Sequence, residues 1–334
     1  MSQSLPRNDA KPLTIGEVRK KLLPELPDGF FNRAPHRVVY LLVAFGALAL
    51  NILVVAHAQS SPYFSGIYVI CVLVNGNCLS FAFFYFHEAQ HGAVLRDGAL
   101  RFISTLLAGA PFLLTPTGWR KWHAYHHRYT SMAEDFDRQR HPEFDDVNAS
   151  STRVHVYLKQ MHYRKLTTYF VLLLSIASSH AYAVIKNLRG PNVVHLPRTR
   201  VLVEYAAVVL LFCTPLVLLP IDVGLLGYLA PVLIANLIAS TYVISNHCAS
   251  AVTVQNYPLL SATSVYLLRR LEWSHMHFGR HVEHHLFPSV SHDKLATVSK
   301  ILRVKFADDF KEASLPTTMS NILSSENAYP PIVH

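Results

Sequence analysis

Eight histidines fall into three short groups: HEAQH (His87, His91), HAYHH (His123, His126, His127) and HVEHH (His281, His284, His285). On a helix, residues three or four apart project from one face about a turn apart, so each group can aim two or three imidazoles at one point. Neutral imidazole suits iron, zinc, copper and nickel alike, so residue type leaves the metal open. The number says more. A structural zinc takes four ligands and an iron with positions open to dioxygen takes about three to five, so eight imidazoles imply two metals with space left for dioxygen. Soluble di-iron proteins build the comparable site from Glu and Glu-x-x-His pairs on facing helices, and here histidines would take over most of that role.

The elements that must position these boxes are apolar. Long apolar stretches run over Val38–Ala58, Tyr63–Phe86, Leu166–Ile185, Val201–Ile221 and Val223–Ser245, each near the about 20 residues needed to cross a bilayer core. No Lys or Arg occurs between Arg37 and Arg96, nor between Arg200 and Arg269. Both intervals read as helical hairpins that leave and re-enter the cytosolic side, as the positive-inside rule expects. Leu166–Ile185 is expected to lie in the interface or dip and return, because a full crossing would put Arg189, Arg198 and Arg200 on the wrong side. Leu100–Pro116, interrupted by Gly109, Pro111 and Pro116, reads as re-entrant or interfacial. The fold expected is therefore an all-α membrane protein: four transmembrane helices in two hairpins, interfacial or re-entrant helices, and a cytosolic helical cap carrying the metal site. All three boxes then meet at one membrane face.

Composition agrees. Hydrophobic residues make up 51% and charged residues only 15%, against about a quarter charged in soluble domains. The net charge of +9 sits in residues flanking apolar stretches, which suits an anionic membrane face and an acidic protein partner rather than nucleic acid. Cys71, Cys78, Cys213 and Cys248 lie in or beside apolar segments with no metal-binding spacing and read as small buried hydrophobes. The polar stretch Met1–His36 has no apolar core of a signal peptide, and none is expected. The division expected is a cytosolic N-terminal segment (1–36), an integral-membrane unit with its cap (37–302) and a cytosolic tail (303–334), with both termini and the active site on the cytosolic side.

HEAQHGA, WRKWHAYHHRYT and HVEHHLFPSVSH resemble the three histidine boxes of the membrane fatty-acid desaturase superfamily. The third is the most specific, since the likeness continues through Leu286, Phe287, Pro288 and His292. With the hairpin order, the resemblance covers about Arg37 to Leu302. It implies a four-helix membrane stem with a cytosolic di-iron cap, a fatty-acyl substrate, and oxidation by dioxygen with external electrons. It also implies a further ligand near the end of the last membrane helix, for which His247 is the candidate, with Asn246 beside it. Many relatives begin the third box with Gln; this chain has His281, which supplies an eighth box ligand. Nothing resembles a fused haem domain, so a separate ferredoxin or b-type cytochrome with its reductase is expected as donor. The boxes do not separate desaturation from hydroxylation or acetylenation.

Metal-bound histidines usually hold a carboxylate or carbonyl on the other ring nitrogen. Glu88, Glu283, Asp135 and Asp137 are the nearest acids by sequence, each also readable as ordinary solvated charge. No catalytic residue beyond the metal ligands is expected. Trp119 and Trp122 read equally as interface anchors or pocket walls, and His275 and His277 fall outside the ligand pattern. Two rival readings exist. HEAQH satisfies HExxH, in which two histidines bind zinc and Glu88 is the general base of a protease; that leaves two boxes unexplained. A metal transporter would place its site near the membrane midplane, whereas these boxes fall at or beyond the membrane edge.

Overall fold

The computed structural model describes residues 13–58, 64–132, 135, 175–189, 194–247, 252–253, 256–324 and 332–333. Four helices among them are long and apolar enough to cross a bilayer: Pro35–Ala58, Gly66–Gln90, Arg198–Leu218 and Val223–His247. Their α-helical parts are α2 (Val38–Ala58), α3 (Phe64–Gln90), α7 (Arg198–Leu218) and α8 (Ala230–His247), the last entered through a π-helical turn at Val223–Leu229. Leu42, Leu50, Leu53, Val69, Ile70, Leu73, Leu210 and Val217 are exposed on these helices. In water such a belt would be costly, and in lipid it is the expected surface.

Helix α3 packs between α2 and α8. Gly76 permits the close approach, since a Cβ there would lie 2.5 Å from the Ile234 side chain. Buried Asn51 donates to the Gly227 carbonyl at 2.7 Å and accepts from Asn75 at 3.2 Å, a polar cross-link inside the apolar bundle. At 27 residues α3 is ~40 Å long, longer than a ~30 Å hydrocarbon core, so the two ends of the helix cannot both lie inside one.

Between the hairpins, α4 (Ala99–Gly109), a 3₁₀ turn (Ala110–Phe112) and α5 (Pro116–Tyr129) form a pair bent by 82°. The bend falls at Leu113, in the left-handed region at φ 53°. Asp97, just before α4, pairs with Arg101 and also with Arg120 of α5 at 3.3 Å, drawing the two arms together. Of the apolar stretch Leu166–Ile185, only the part within α6 (Ser175–Arg189) lies among the described residues.

The cap is built from α9 (His281–Leu286), α10 (Leu295–Lys305) and α11 (Leu315–Ser324). A parallel pair joins Ser264–Tyr266 to Glu312–Ser314, tying the tail to the segment that follows the last long helix. The N-terminal helix α1 (Ile15–Leu22), closed by a capping box between Thr14 and Glu17, buries Val18 and Leu22 in one core with Leu286, Phe287, Val298 and Leu302. Arg19 donates to the Leu286 carbonyl at 2.5 Å, and Lys294 donates to the carbonyls of Gly29, Phe30 and Asn32. Residues 13–32 thus pack onto the cap beside the third box.

Candidate metal centre

Helical geometry sorts the histidines. Residues four apart lie on nearly one line, whereas adjacent residues point about 100° apart. In α5, His123 and His127 therefore face one way and His126 another. In α9, His281 and His285 align and His284 diverges. The end of α3 contributes His87, and His91 follows one turn later. The outcome is two largely buried groups. His87, His91, His123, His127 and His284 each offer a nitrogen within 4.8 Å of the others. So do His126, His247 and His285, and His281 joins them with its Nε2 at 2.7 Å from that of His247 and 3.1 Å from that of His285. All nine histidines singled out in the sequence come together. The groups abut, the rings of His127 and His285 lying 4.2 Å apart.

The five-histidine group has a feature that suits a cation. Nε2 atoms follow one another at 3.0 Å (His87–His123), 3.1 Å (His123–His127) and 3.1 Å (His127–His284). The Nδ1 atoms of His87, His127 and His284 are buried with no partner. A neutral imidazole has one N–H, so these rings cannot satisfy both nitrogens among themselves. A metal bound by the Nε2 lone pairs resolves the conflict, and ~3 Å is the spacing of nitrogens held at right angles around an ion with bonds of about 2.1 Å. Trp119 closes one side, stacked on His123 at 4.1 Å and edge-on to His87 at 5.4 Å.

The second group is oriented by hydrogen bonds. Asp135 accepts from His126 Nδ1 at 3.0 Å, and its carboxylate is fixed by the Ser131 amide at 2.9 Å. Thr130 donates its hydroxyl proton to the His126 carbonyl at 2.7 Å and lies 3.2 Å from His285 Nδ1, whose proton it can accept. Both bonds turn Nε2 inward.

The remaining acids behave differently. Glu88 accepts from Arg37 Nε at 2.5 Å and from the His292 amide and Nδ1, both at 2.7 Å. Glu283 accepts from Ser264 at 2.5 Å and from Ser299, with no hydrogen bond to a box histidine; burial pushes its carboxyl above the usual range. Asn246 is buried, its carbonyl taking the Thr263 amide at 2.9 Å and its side-chain amide unpartnered. Asp137 lies outside the described residues, as do His141, His155 and His162. His275 is held between Tyr242 Oη at 2.8 Å and Asn77 Oδ1 at 2.7 Å, and His277 lies 3.4 Å from Glu272. Trp122 is buried with Ala183, Val194 and Val201.

Two contributors carried no recognisable signal in the sequence. The start of α5 leaves backbone amides without helical partners. His180 takes the Thr115 amide at 3.1 Å, and Glu204 takes the Thr117 amide at 2.7 Å and the Thr117 hydroxyl at 2.5 Å. Both reach α5 from other helices and fix the helix that carries the second box. Glu204→Gln keeps the shape but loses the negative charge at a helix N-terminus and puts a donor where two donors converge. An apparent stability loss of about 1–3 kcal/mol is expected, read as a lower thermal midpoint, and an unchanged midpoint would refute the capping role.

Burial, with the neighbouring imidazoles second, pushes His123, His127, His281, His284 and His285 well below the ordinary imidazole range and His91 down to about 3. These rings stay neutral at physiological pH, the form that binds metal. In the metal-free protein the unfolded chain takes up protons near pH 6.5 that the folded chain refuses. Stability present above that pH is therefore lost as pH falls toward 3. Metal-stripped protein is expected to melt at a lower temperature at pH 5.5 than at pH 7.5; the opposite trend would contradict the burial of neutral imidazoles.

Four helices long and apolar enough to cross a bilayer thus accompany two adjoining polyhistidine groups compatible with a metal centre. The chain belongs to the fatty acid desaturase family, whose model matches residues 62–312. No match was found among curated proteins. Membership makes the protein a desaturase-like oxidoreductase that acts on acyl lipids in a bilayer, with histidine clusters suited to metal.

Proposed function

We propose that the protein desaturates a lipid- or thioester-linked fatty-acyl chain at a di-iron centre held by His87, His91, His123, His127 and His284 on one side and His126, His247, His281 and His285 on the other. The observation that carries this reading is the meeting of nine imidazoles, six of them buried and three half-buried, in two touching groups. Two irons, when bound, would supply the dioxygen chemistry needed to remove hydrogen from an unactivated methylene. The residues of the chain hold the nitrogens neutral, fix ring planes through Asp135 and Thr130, and keep water away by burial. Desaturation removes two vicinal hydrogens, and with two electrons and two protons from a donor one dioxygen becomes two waters. Hydroxylation or acetylenation on the same scaffold is the alternative outcome.

The proposed arrangement has the centre and both termini on the cytosolic side, with 37–302 as the membrane unit and 1–36 and 303–334 as its flanks. Exposed Lys20, Lys21, Lys300, Arg303 and Lys305 on α1 and α10 offer a basic face to an acidic ferredoxin or b-type cytochrome served by its reductase. A zinc protease through HEAQH is disfavoured by Glu88, whose two oxygens are engaged by Arg37 and His292 and so are not available as a general base.

The test is anaerobic purification with metal analysis, then reduction in air with candidate acyl lipids and mass spectrometry of the chains. About two irons per chain and a product lacking two hydrogens are expected. One zinc without iron would sink the proposal, and a product gaining one oxygen would move it to hydroxylation.

A further inference from the structure

Metal-bound histidines are normally aimed by a hydrogen bond on the ring nitrogen away from the metal. In the second group His126 and His285 follow this pattern through Asp135 and Thr130, whereas the buried His281 Nδ1 has no partner among the described residues. In the five-histidine group the Nδ1 atoms of His87, His127 and His284 have no hydrogen-bond partner among the described residues. Something else must set those ring planes.

His292 stands where that is needed. It is 1% exposed, and its ring lies 4.9 Å from that of His284 at an interplanar angle of 18° and 5.5 Å from that of His87 at 46°. Its own plane is fixed twice by Glu88, through the backbone amide and through Nδ1. Glu88 is fixed in turn by Arg37, which also donates to the Met276 carbonyl at 3.1 Å. Glu88 adjoins His87 in the first box, His292 lies beyond the third, and Arg37 stands at the start of the first long helix. The three residues form a buried bracket across the elements that must agree on the position of one metal. His292 Nε2 is buried and unpartnered, so no bond on that atom competes for the orientation of the ring.

We propose that His292, clamped by Glu88 and Arg37, is a positioning residue for the five-histidine group: its ring face, in place of a hydrogen bond, sets the planes of His284 and His87. This rests on the reading of the two groups as metal sites. It makes the centre asymmetric: hydrogen bonds aim His126 and His285 in one group, and the face of His292 aims His284 and His87 in the other.

The asymmetry is testable by ferrous-iron release from the full-length protein into ferrozine, with the wild type and His292→Ala, His292→Phe, His292→Asn and Asp135→Asn variants. In His292→Ala one of two irons is expected to leave about 10–100-fold faster than in the wild type, the loss typical of disturbed ligand orientation, and the other at the wild-type rate. Asp135→Asn is expected to accelerate the other iron. Phenylalanine keeps a flat ring and should restore much of the retention, whereas asparagine keeps a donor for Glu88 without the ring and should not. Unchanged release in His292→Ala overturns the proposal, as does equal acceleration of both irons, which marks a general structural defect. Asparagine behaving as wild type while phenylalanine behaves as alanine also overturns it, since the hydrogen bond would then be what matters. A wild type that binds no metal would defeat the di-iron reading itself, a result distinct from all of these.

Discussion

His284→Ala is expected to leave the protein with about one iron instead of two and to lower turnover at least ~1,000-fold. His284 Nε2 lies 3.1 Å from His127 Nε2, and its ring packs against those of His87 and His91 at 4.5 and 4.7 Å. Disturbing the partners behind a metal ligand typically costs about 10–100-fold, and removing the ligand itself costs more. The remaining group would keep its own ring of nitrogens, so the loss should be selective. His275→Ala is the control: that ring is bonded to Tyr242 and Asn77 and belongs to neither group, so both irons should remain. Metal analysis beside product formation decides the matter. A His284→Ala protein that keeps two irons and full turnover would remove the five-histidine group from the chemistry.

The largest expected effect on stability is that of Arg37→Leu. Arg37 is 2% exposed and its partner Glu88 1%, so truncation strands a carboxylate in a dry site with His292 as its remaining side-chain partner. Breaking a buried pair by removing one member costs about 3–5 kcal/mol, most of it from the charge left behind. Arg37 also packs over the Tyr40 ring at 5.1 Å and approaches Asp293 at 3.5 Å, and leucine can reproduce neither interaction. The double variant Arg37→Leu/Glu88→Gln should recover a large part of the loss, because the stranded charge is gone. Thermal or denaturant unfolding of the two variants separates these terms. If the double variant is no more stable than the single one, the cost does not lie in the unpaired carboxylate.

Much of this was legible in the sequence, for identifiable reasons. Intervals free of Lys and Arg, from Arg37 to Arg96 and from Arg200 to Arg269, delimit the two pairs of long helices, since Lys and Arg are excluded from a lipid core. Box spacing shows which imidazoles share a helix face. Which of two metals each would serve is a matter of helix rotation, and consecutive histidines such as His126 and His127 part ways for that reason. The His292–Glu88 bond joins residues 204 apart, and local spacing cannot reveal it. Glu204 reads in sequence as a lone acid in an apolar stretch; its task appears only when the start of α5 is brought against α7. Among the acids near the boxes, proximity in sequence did not separate Asp135, which turns to His126, from Glu283, which turns to Ser264 and Ser299.

The long reach of these contacts has a consequence for how the protein is made. A ribosome that has delivered the first hairpin has produced only His87 and His91 of the nine, and His284, which meets His127, comes 157 residues after His127 itself. If the centre takes iron, as proposed, selectivity for it therefore cannot be exercised during synthesis. An incomplete set of imidazoles prefers copper, nickel or zinc over ferrous iron by the intrinsic order of divalent-ion affinities. Loading with the right metal must follow insertion and closure of the cap, and the supply of free metal in the cell at that moment becomes part of what determines whether the enzyme matures.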